Sequence, residues 1–188
     1  RSVSSSRGCF HRCTFCSIQA LYRRTVRTRS AGSLLEEIRR LAAAGVGRIL
    51  FTDENFTFSP KRVRELCAGI RRLNLPREVE FYAEGRADDI CRNPLTAQML
   101  SDAGFRALYM GAESGSPAIL EHYGKGIGPG DVLSAVDFCV QQNLTPVVNF
   151  ILFGPWDTVG TMRETIALAK RVFEQGAEIV YGETLNPF

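Results

Sequence analysis

No apolar run in this chain approaches the roughly 20 consecutive residues that a membrane-spanning helix needs. No charged leader with an apolar centre opens it either: the chain starts Arg1-Ser2-Val3, so no secretory signal is readable and the expected location is cytoplasmic. A strong excess of one charge is also missing. Lys and Arg number 23 against 20 Asp and Glu, a net charge of +3, too mild to indicate nucleic acid by itself. Low-complexity tracts and short repeats are absent. Histidine is scarce, with His11 and His122 alone. A starting Met is lacking, which leads us to expect a piece of a longer protein.

What is present suits one folded domain. The 188 residues are 45% hydrophobic and 23% charged, long enough to bury a sizeable core. Strand and helix signals alternate throughout. Strands are expected at 3–6, 48–52, 78–84, 106–110, 146–153 and 177–181. Between them, Ser33 is expected to cap a helix over 34–44, Ser59-Pro60 to start a second, and Asn93-Pro94 a third that Gly104 ends. Ser116-Pro117 opens a short helix, and longer ones cover 131–142 and 158–174. Six strands separated by helical crossovers imply a parallel sheet. Six units fall short of the eight that close a barrel, so an open six-stranded (β/α)6 partial TIM barrel is expected, with a doubly wound sheet as the alternative.

The cysteines are unevenly placed. Cys9, Cys13 and Cys16 fall within eight residues, spaced C-x3-C-x2-C, whereas Cys67, Cys91 and Cys139 stand alone. That distribution fits one metal site in a reducing compartment, with the scattered three as small buried hydrophobes. Three soft ligands on one short loop suit an iron–sulfur cluster or zinc. On a four-iron cube, three thiolates leave one iron without a protein ligand, and an open position distinguishes a catalytic metal site from a closed one.

In parallel α/β folds ligands bind beyond the carboxyl ends of the strands. The unusual residues stand there: the three cysteines after the first strand, Asp53-Glu54-Asn55 after the second, Glu84 and Arg86 after the third, Glu113-Ser114-Gly115 after the fourth, Gly154-Pro155-Trp156-Asp157 after the fifth, and Glu183 and Asn186 after the sixth.

The cysteine spacing, with aromatic Phe15 before the last thiol, resembles the signature of the radical S-adenosylmethionine (radical SAM) superfamily. The likeness runs the length of the chain, 1–188, as a core domain. Arg27-Thr28-Arg29-Ser30 with Glu36-Glu37-Ile38, the segment Phe51-Thr52-Asp53-Glu54-Asn55-Phe56-Thr57, Gly111-Ala112-Glu113-Ser114-Gly115-Ser116 with Leu120 and Gly124-Lys125-Gly126, and Phe150-Ile151-Leu152-Phe153-Gly154-Pro155-Trp156-Asp157-Thr158 are similar to the branch holding cobalamin-dependent and methylthiotransferase-like members. Trp156 and Asp157 depart from it, standing where Gly and Glu are usual. The resemblance implies a [4Fe-4S] cluster on Cys9, Cys13 and Cys16, with S-adenosylmethionine on the fourth iron. It also implies cleavage of that molecule to a 5′-deoxyadenosyl radical and an electron donor such as flavodoxin or ferredoxin. Cobalamin would enter through a domain outside these residues. Matched to the ligand's groups, Asp53, Glu54 and Asn55 are expected to accept from its ammonium and Arg86 to clamp its carboxylate. Glu113 and Ser114 would hold the ribose, and Phe15 would form the adenine slot with the strand end at Phe150 and Gly154.

Other readings stay open. Cys9, Cys13, Cys16 and His11 form a potential, though cramped, zinc set. The basic stretch Arg23, Arg24, Arg27 and Arg29 is either a solvated face or an RNA contact. A scaffold that no longer catalyses is the third alternative, against which the intact cysteines speak. His122 reads as a surface or packing residue. The substrate is not readable.

Overall fold

The computed structural model describes residues 1–182; Glu183 and Asn186 lie outside the described residues. The chain begins with two short strands, β1 (Ser2–Val3) and β2 (Ser6–Arg7), where one was expected. After the cysteine loop come α1 (Ile18–Tyr22) and β3 (Arg27–Thr28), which pairs antiparallel with β2 in a small hairpin. The repeating units follow: α2 (Ala31–Ala43), β4 (Arg48–Phe51), α3 (Pro60–Arg72) and β5 (Glu80–Gly85). Then come α4 (Ala87–Arg92), α5 (Leu95–Asp102), β6 (Phe105–Glu113), α6 (Pro117–His122) and α7 (Pro129–Gln141). The described residues close with β7 (Thr145–Ile151), α8 (Val159–Glu174) and β8 (Glu178–Gly182).

Strands β1, β4, β5, β6, β7 and β8 make one sheet in that order, each neighbouring pair parallel. The order follows the chain without a reversal. A doubly wound sheet would reverse at a switch point, so that alternative falls, and the open partial barrel stands with β1 and β8 as its edges.

Local chemistry explains most of the elements. Ser59 accepts from the Arg62 N–H and Pro60 occupies the first helical position of α3, as the sequence predicts. Helix α2 starts earlier than predicted. Ser30, not Ser33, is its cap, and the Ser33 N–H is the donor that Ser30 satisfies. Helix α4 was not predicted.

Behind the sheet, the helices bury an apolar layer in which four phenylalanines meet. Phe51 stacks on Phe105 at 5.5 Å between centroids, and Phe56 and Phe81 close the group. Phe150 is buried in this same core, not at the mouth of the sheet. Cys67 and Cys139 are buried and Cys91 half-buried, and all six cysteines are free thiols. Burial pushes the Cys67 and Cys139 thiols up to about 12.

Candidate functional site

The carboxyl ends of the strands open into a cleft of about 340 Å³. Its walls are the cysteine loop (Cys9, His11, Cys13, Phe15, Cys16), Glu54 after β4, Glu84 and Gly85 at the end of β5 with Arg86 following, and Tyr109, Gly111 and Glu113 on β6. Ile18, Lys125 and Asn149 complete it. All three clustered cysteines therefore face one space.

Two docking contacts hold the cysteine loop. At its start, Glu54 Oε2 accepts from the Gly8 N–H at 2.8 Å. Further along, the Thr14 N–H donates to the Tyr123 carbonyl at 2.8 Å and the Thr14 hydroxyl to the His122 carbonyl. Strand β1 and the residues leading to the loop are pinned from beneath by Asp53. Its carboxylate accepts from the Ser5 and Ser6 N–H groups, both at 2.7 Å, and from the Ser5 hydroxyl.

Several of the expected ligand contacts sit differently. Asp53 is 1% exposed and does not line the cleft; its acceptor capacity is used on the backbone of residues 5–6. Asn55 likewise turns inward, to Asp89 and Thr57. Ser114 is buried against α8, where its hydroxyl meets the Thr165 hydroxyl at 2.9 Å and accepts from the Ser116 N–H. Arg86 lines the cleft, but each of its three nitrogens is engaged: Nε with Asp88 at 2.8 Å, Nη2 with the Lys125 carbonyl at 2.6 Å, and Nη1 with Cys13 Sγ at 3.7 Å. It is not a free clamp for a carboxylate.

Glu113 and Glu54 do reach the cleft. Strand β6 shifts register between Gly111 and Glu113, and Glu113 takes a left-handed φ of 64°, a conformation that marks functional sites more often than plain strand. The distortion brings the Glu113 carboxylate within 2.6 Å of Lys125 Nζ, both side chains nearly buried. Gly111 makes the room: a Cβ there would lie 2.1 Å from Glu113 Oε1 and 2.9 Å from Lys125 Nζ.

Lys125 is the residue that sequence reasoning passed over as a binder. Its signal was the Lys-Gly step after α6, read only as part of a motif. Tyr109 and Asn149 were also missed, and Asn149 Oδ1 is buried without a partner. His11 Nε2 is in the same position. Burial, and then the Arg86 guanidinium, push the His11 imidazole below its ordinary value. Burial, followed by the like charge of Glu54, pushes the Glu84 carboxyl up.

Phe15 is the aromatic face of the cysteine loop in the cleft: it packs 5.0 Å from buried Tyr123, and the Lys125 ammonium is 5.9 Å from the Phe15 centroid. Gly154 is not on the cleft surface; it lies behind Tyr123, its N–H held by Asp157 at 2.9 Å. Trp156 stacks on exposed His122 at 5.2 Å between ring centroids.

Among the described residues no three His, Cys, Asp or Glu side chains close on a single metal ion. The donor chemistry fits an iron–sulfur cluster: three free thiols on one loop, and an Arg86 donor directed at one sulfur.

The sequence profile of the radical SAM superfamily matches residues 3–169. The chain belongs to the radical SAM superfamily. Enzymes of this superfamily use a [4Fe-4S] cluster and S-adenosylmethionine. An uncharacterized methyltransferase of Pyrococcus horikoshii is 32% identical to this radical SAM chain over 171 residues, covering 90% of the chain and 36% of the relative. The hopanoid C-3 methylase of Methylococcus capsulatus is 26% identical over 156 residues, covering 83% and 29%. The chain thus spans about a third of the length of these relatives. Among solved structures, the radical SAM methyltransferase TsrM of Kitasatospora setae, with cobalamin and a [4Fe-4S] cluster bound, superposes with a TM-score of 0.85 at 21% identity. That match covers 96% of this chain and 33% of the other. At such identity the likeness is one of fold. No helix among the described residues is long and apolar enough to cross a membrane.

Proposed function

We propose that residues 1–188 are the core domain of a methyltransferase-type radical SAM enzyme that works with cobalamin held by another part of its protein. The observation that carries this reading is the meeting of three cysteine thiols with the buried Glu113–Lys125 pair in one cleft at the strand ends. The methyltransferase names of the relatives support the subclass, as does the cobalamin bound in the structural neighbour.

In this reading Cys9, Cys13 and Cys16 hold the cluster, which when reduced supplies the electron that breaks the sulfonium C–S bond of S-adenosylmethionine. The chain's own residues bind and orient that molecule. Lys125, whose ammonium lines the cleft beside Glu113, takes the carboxylate, the role that sequence had given to Arg86. Glu54 and Glu84 accept from the ammonium. Glu113 takes the ribose diol, its carboxylate positioned by Lys125. Phe15, packed against buried Tyr123, forms the apolar wall for adenine. A one-electron donor protein of the flavodoxin or ferredoxin class supplies the reductant, in the cytoplasm.

The test is anaerobic incubation of cluster-loaded protein with S-adenosylmethionine and dithionite, followed by chromatography. We expect 5′-deoxyadenosine or S-adenosylhomocysteine from the wild type and neither from Cys13→Ala. A wild type that carries iron yet yields neither product contradicts the proposal.

A further inference from the structure

Arg86 is 7% exposed, and its guanidinium is held on three sides. Nε meets Asp88 Oδ1 at 2.8 Å, Nη2 donates to the Lys125 carbonyl at 2.6 Å, and Nη1 points at Cys13 Sγ at 3.7 Å. Asp88 is in turn bound by Arg92 Nη2 at 2.8 Å. The cation is therefore fixed, shielded from water and oriented with one N–H toward a sulfur of the cysteine loop. A charge in that setting is weakly screened, unlike a surface arginine.

Donors and charges next to a ligand sulfur set the potential of an iron–sulfur centre. Reduction adds one negative charge. A cation hydrogen-bonded to a ligand sulfur stabilises the reduced form, and a nearby carboxylate opposes it. We propose that Arg86 is a tuning residue that raises the potential at which a cluster on Cys9, Cys13 and Cys16 accepts its electron, and that Asp88 restrains that effect while fixing the guanidinium. This inference rests on the reading above that the three cysteines hold such a cluster. It gives Arg86 a role toward the cysteine ligand in place of one toward the bound molecule.

The paired charges make the idea separable from a purely structural one. Loss of Arg86 and loss of Asp88 both break the same ion pair, so a structural role moves both variants alike. A tuning role moves them in opposite directions. The experiment is an EPR-monitored redox titration of the intact chain, reconstituted anaerobically, as wild type, Arg86→Gln, Arg86→Lys and Asp88→Asn. At the wild-type midpoint we expect the ratio of reduced to oxidised cluster to fall roughly tenfold in Arg86→Gln, a modest second-sphere effect. We expect it to rise in Asp88→Asn and to lie between wild type and Gln in Arg86→Lys. Unmoved midpoints, or shifts of one sign in Arg86→Gln and Asp88→Asn, overturn the proposal. If Arg86→Gln takes up no iron, Asp88→Asn and Arg86→Lys decide it, and an unchanged or lowered Asp88→Asn midpoint overturns it. A wild type without a four-iron signal removes the underlying reading and this inference with it. A normal wild-type signal with unmoved variants removes the inference alone.

Discussion

Lys125 Nζ and Glu113 Oε1 lie 2.6 Å apart, twelve residues distant in sequence and both nearly buried in the wall of one cleft. Removing one member of such a pair strands the other's charge away from water. Glu113→Gln is expected to destabilise the fold by about 3 kcal/mol and to weaken S-adenosylmethionine binding at least tenfold. Urea denaturation and calorimetric titration measure the two effects. Full stability together with wild-type affinity in this variant would remove Glu113 from the site.

Asp53 separates structural from binding roles. Three donors from Ser5 and Ser6 converge on it, and it is hidden from the cleft. An amide in its place keeps one oxygen on both backbone N–H groups but sets an NH2 where the Ser5 hydroxyl now donates, and removes the charge that strengthens all three bonds. Asp53→Asn is expected to cost about 2–3 kcal/mol and to loosen the cysteine loop, lowering the iron retained. Glu54→Gln is expected to leave stability within about 1 kcal/mol but to weaken ligand affinity. Equal behaviour of the two variants in melting and in affinity would refute the division.

Much of the architecture was legible because its causes are local. Ser59-Pro60 announces α3 by cap and first-turn chemistry, and the strand–helix alternation yields the parallel sheet. Helix α4 escaped because Ala87–Arg92 is six residues long, too short to show a helical period, and Asn93-Pro94 drew attention to the helix behind it. The split of the first strand escaped because its cause, Asp53, lies about fifty residues away. The site followed the same rule. The cysteine trio is a local pattern and was readable. The roles of Asp53, Ser114 and Arg86 depend on which partner each meets across the fold. A polar residue at a strand end reads alike from sequence whether it faces ligand or backbone.

Close backbone approach gives a third prediction. A Cβ on Gly115 would lie 2.3 Å from the Glu164 carbonyl oxygen and 2.8 Å from Thr165 Cα, both backbone atoms of α8. Gly115→Ala is therefore expected to push α8 from β6 and to destabilise by about 2–3 kcal/mol. Chemical denaturation checks this; a loss below about 0.5 kcal/mol would mean that α8 yields without strain.

Glu84 supplies a pH dependence. Burial and the neighbouring Glu54 raise its folded value above the ordinary 4.5. The folded state then holds the proton more tightly than the unfolded state, so this group's contribution to stability falls as pH rises above about 4.5 through the raised value. Glu84→Gln is expected to gain stability relative to wild type at pH 7 and to lose that gain near pH 4.5. Urea melts of both proteins at the two pH values read it; a gain that does not vary with pH contradicts it.

The central claim is that Cys9, Cys13 and Cys16 together hold one iron–sulfur cube with an open iron for S-adenosylmethionine. The most direct test is EPR of the anaerobically reconstituted, dithionite-reduced protein with and without S-adenosylmethionine, beside the variant with all three cysteines changed to alanine. The account predicts a four-iron signal whose shape changes when the ligand is added and which is absent from the triple variant. A four-iron signal that survives loss of the three cysteines, or a wild type that gives none, would contradict it.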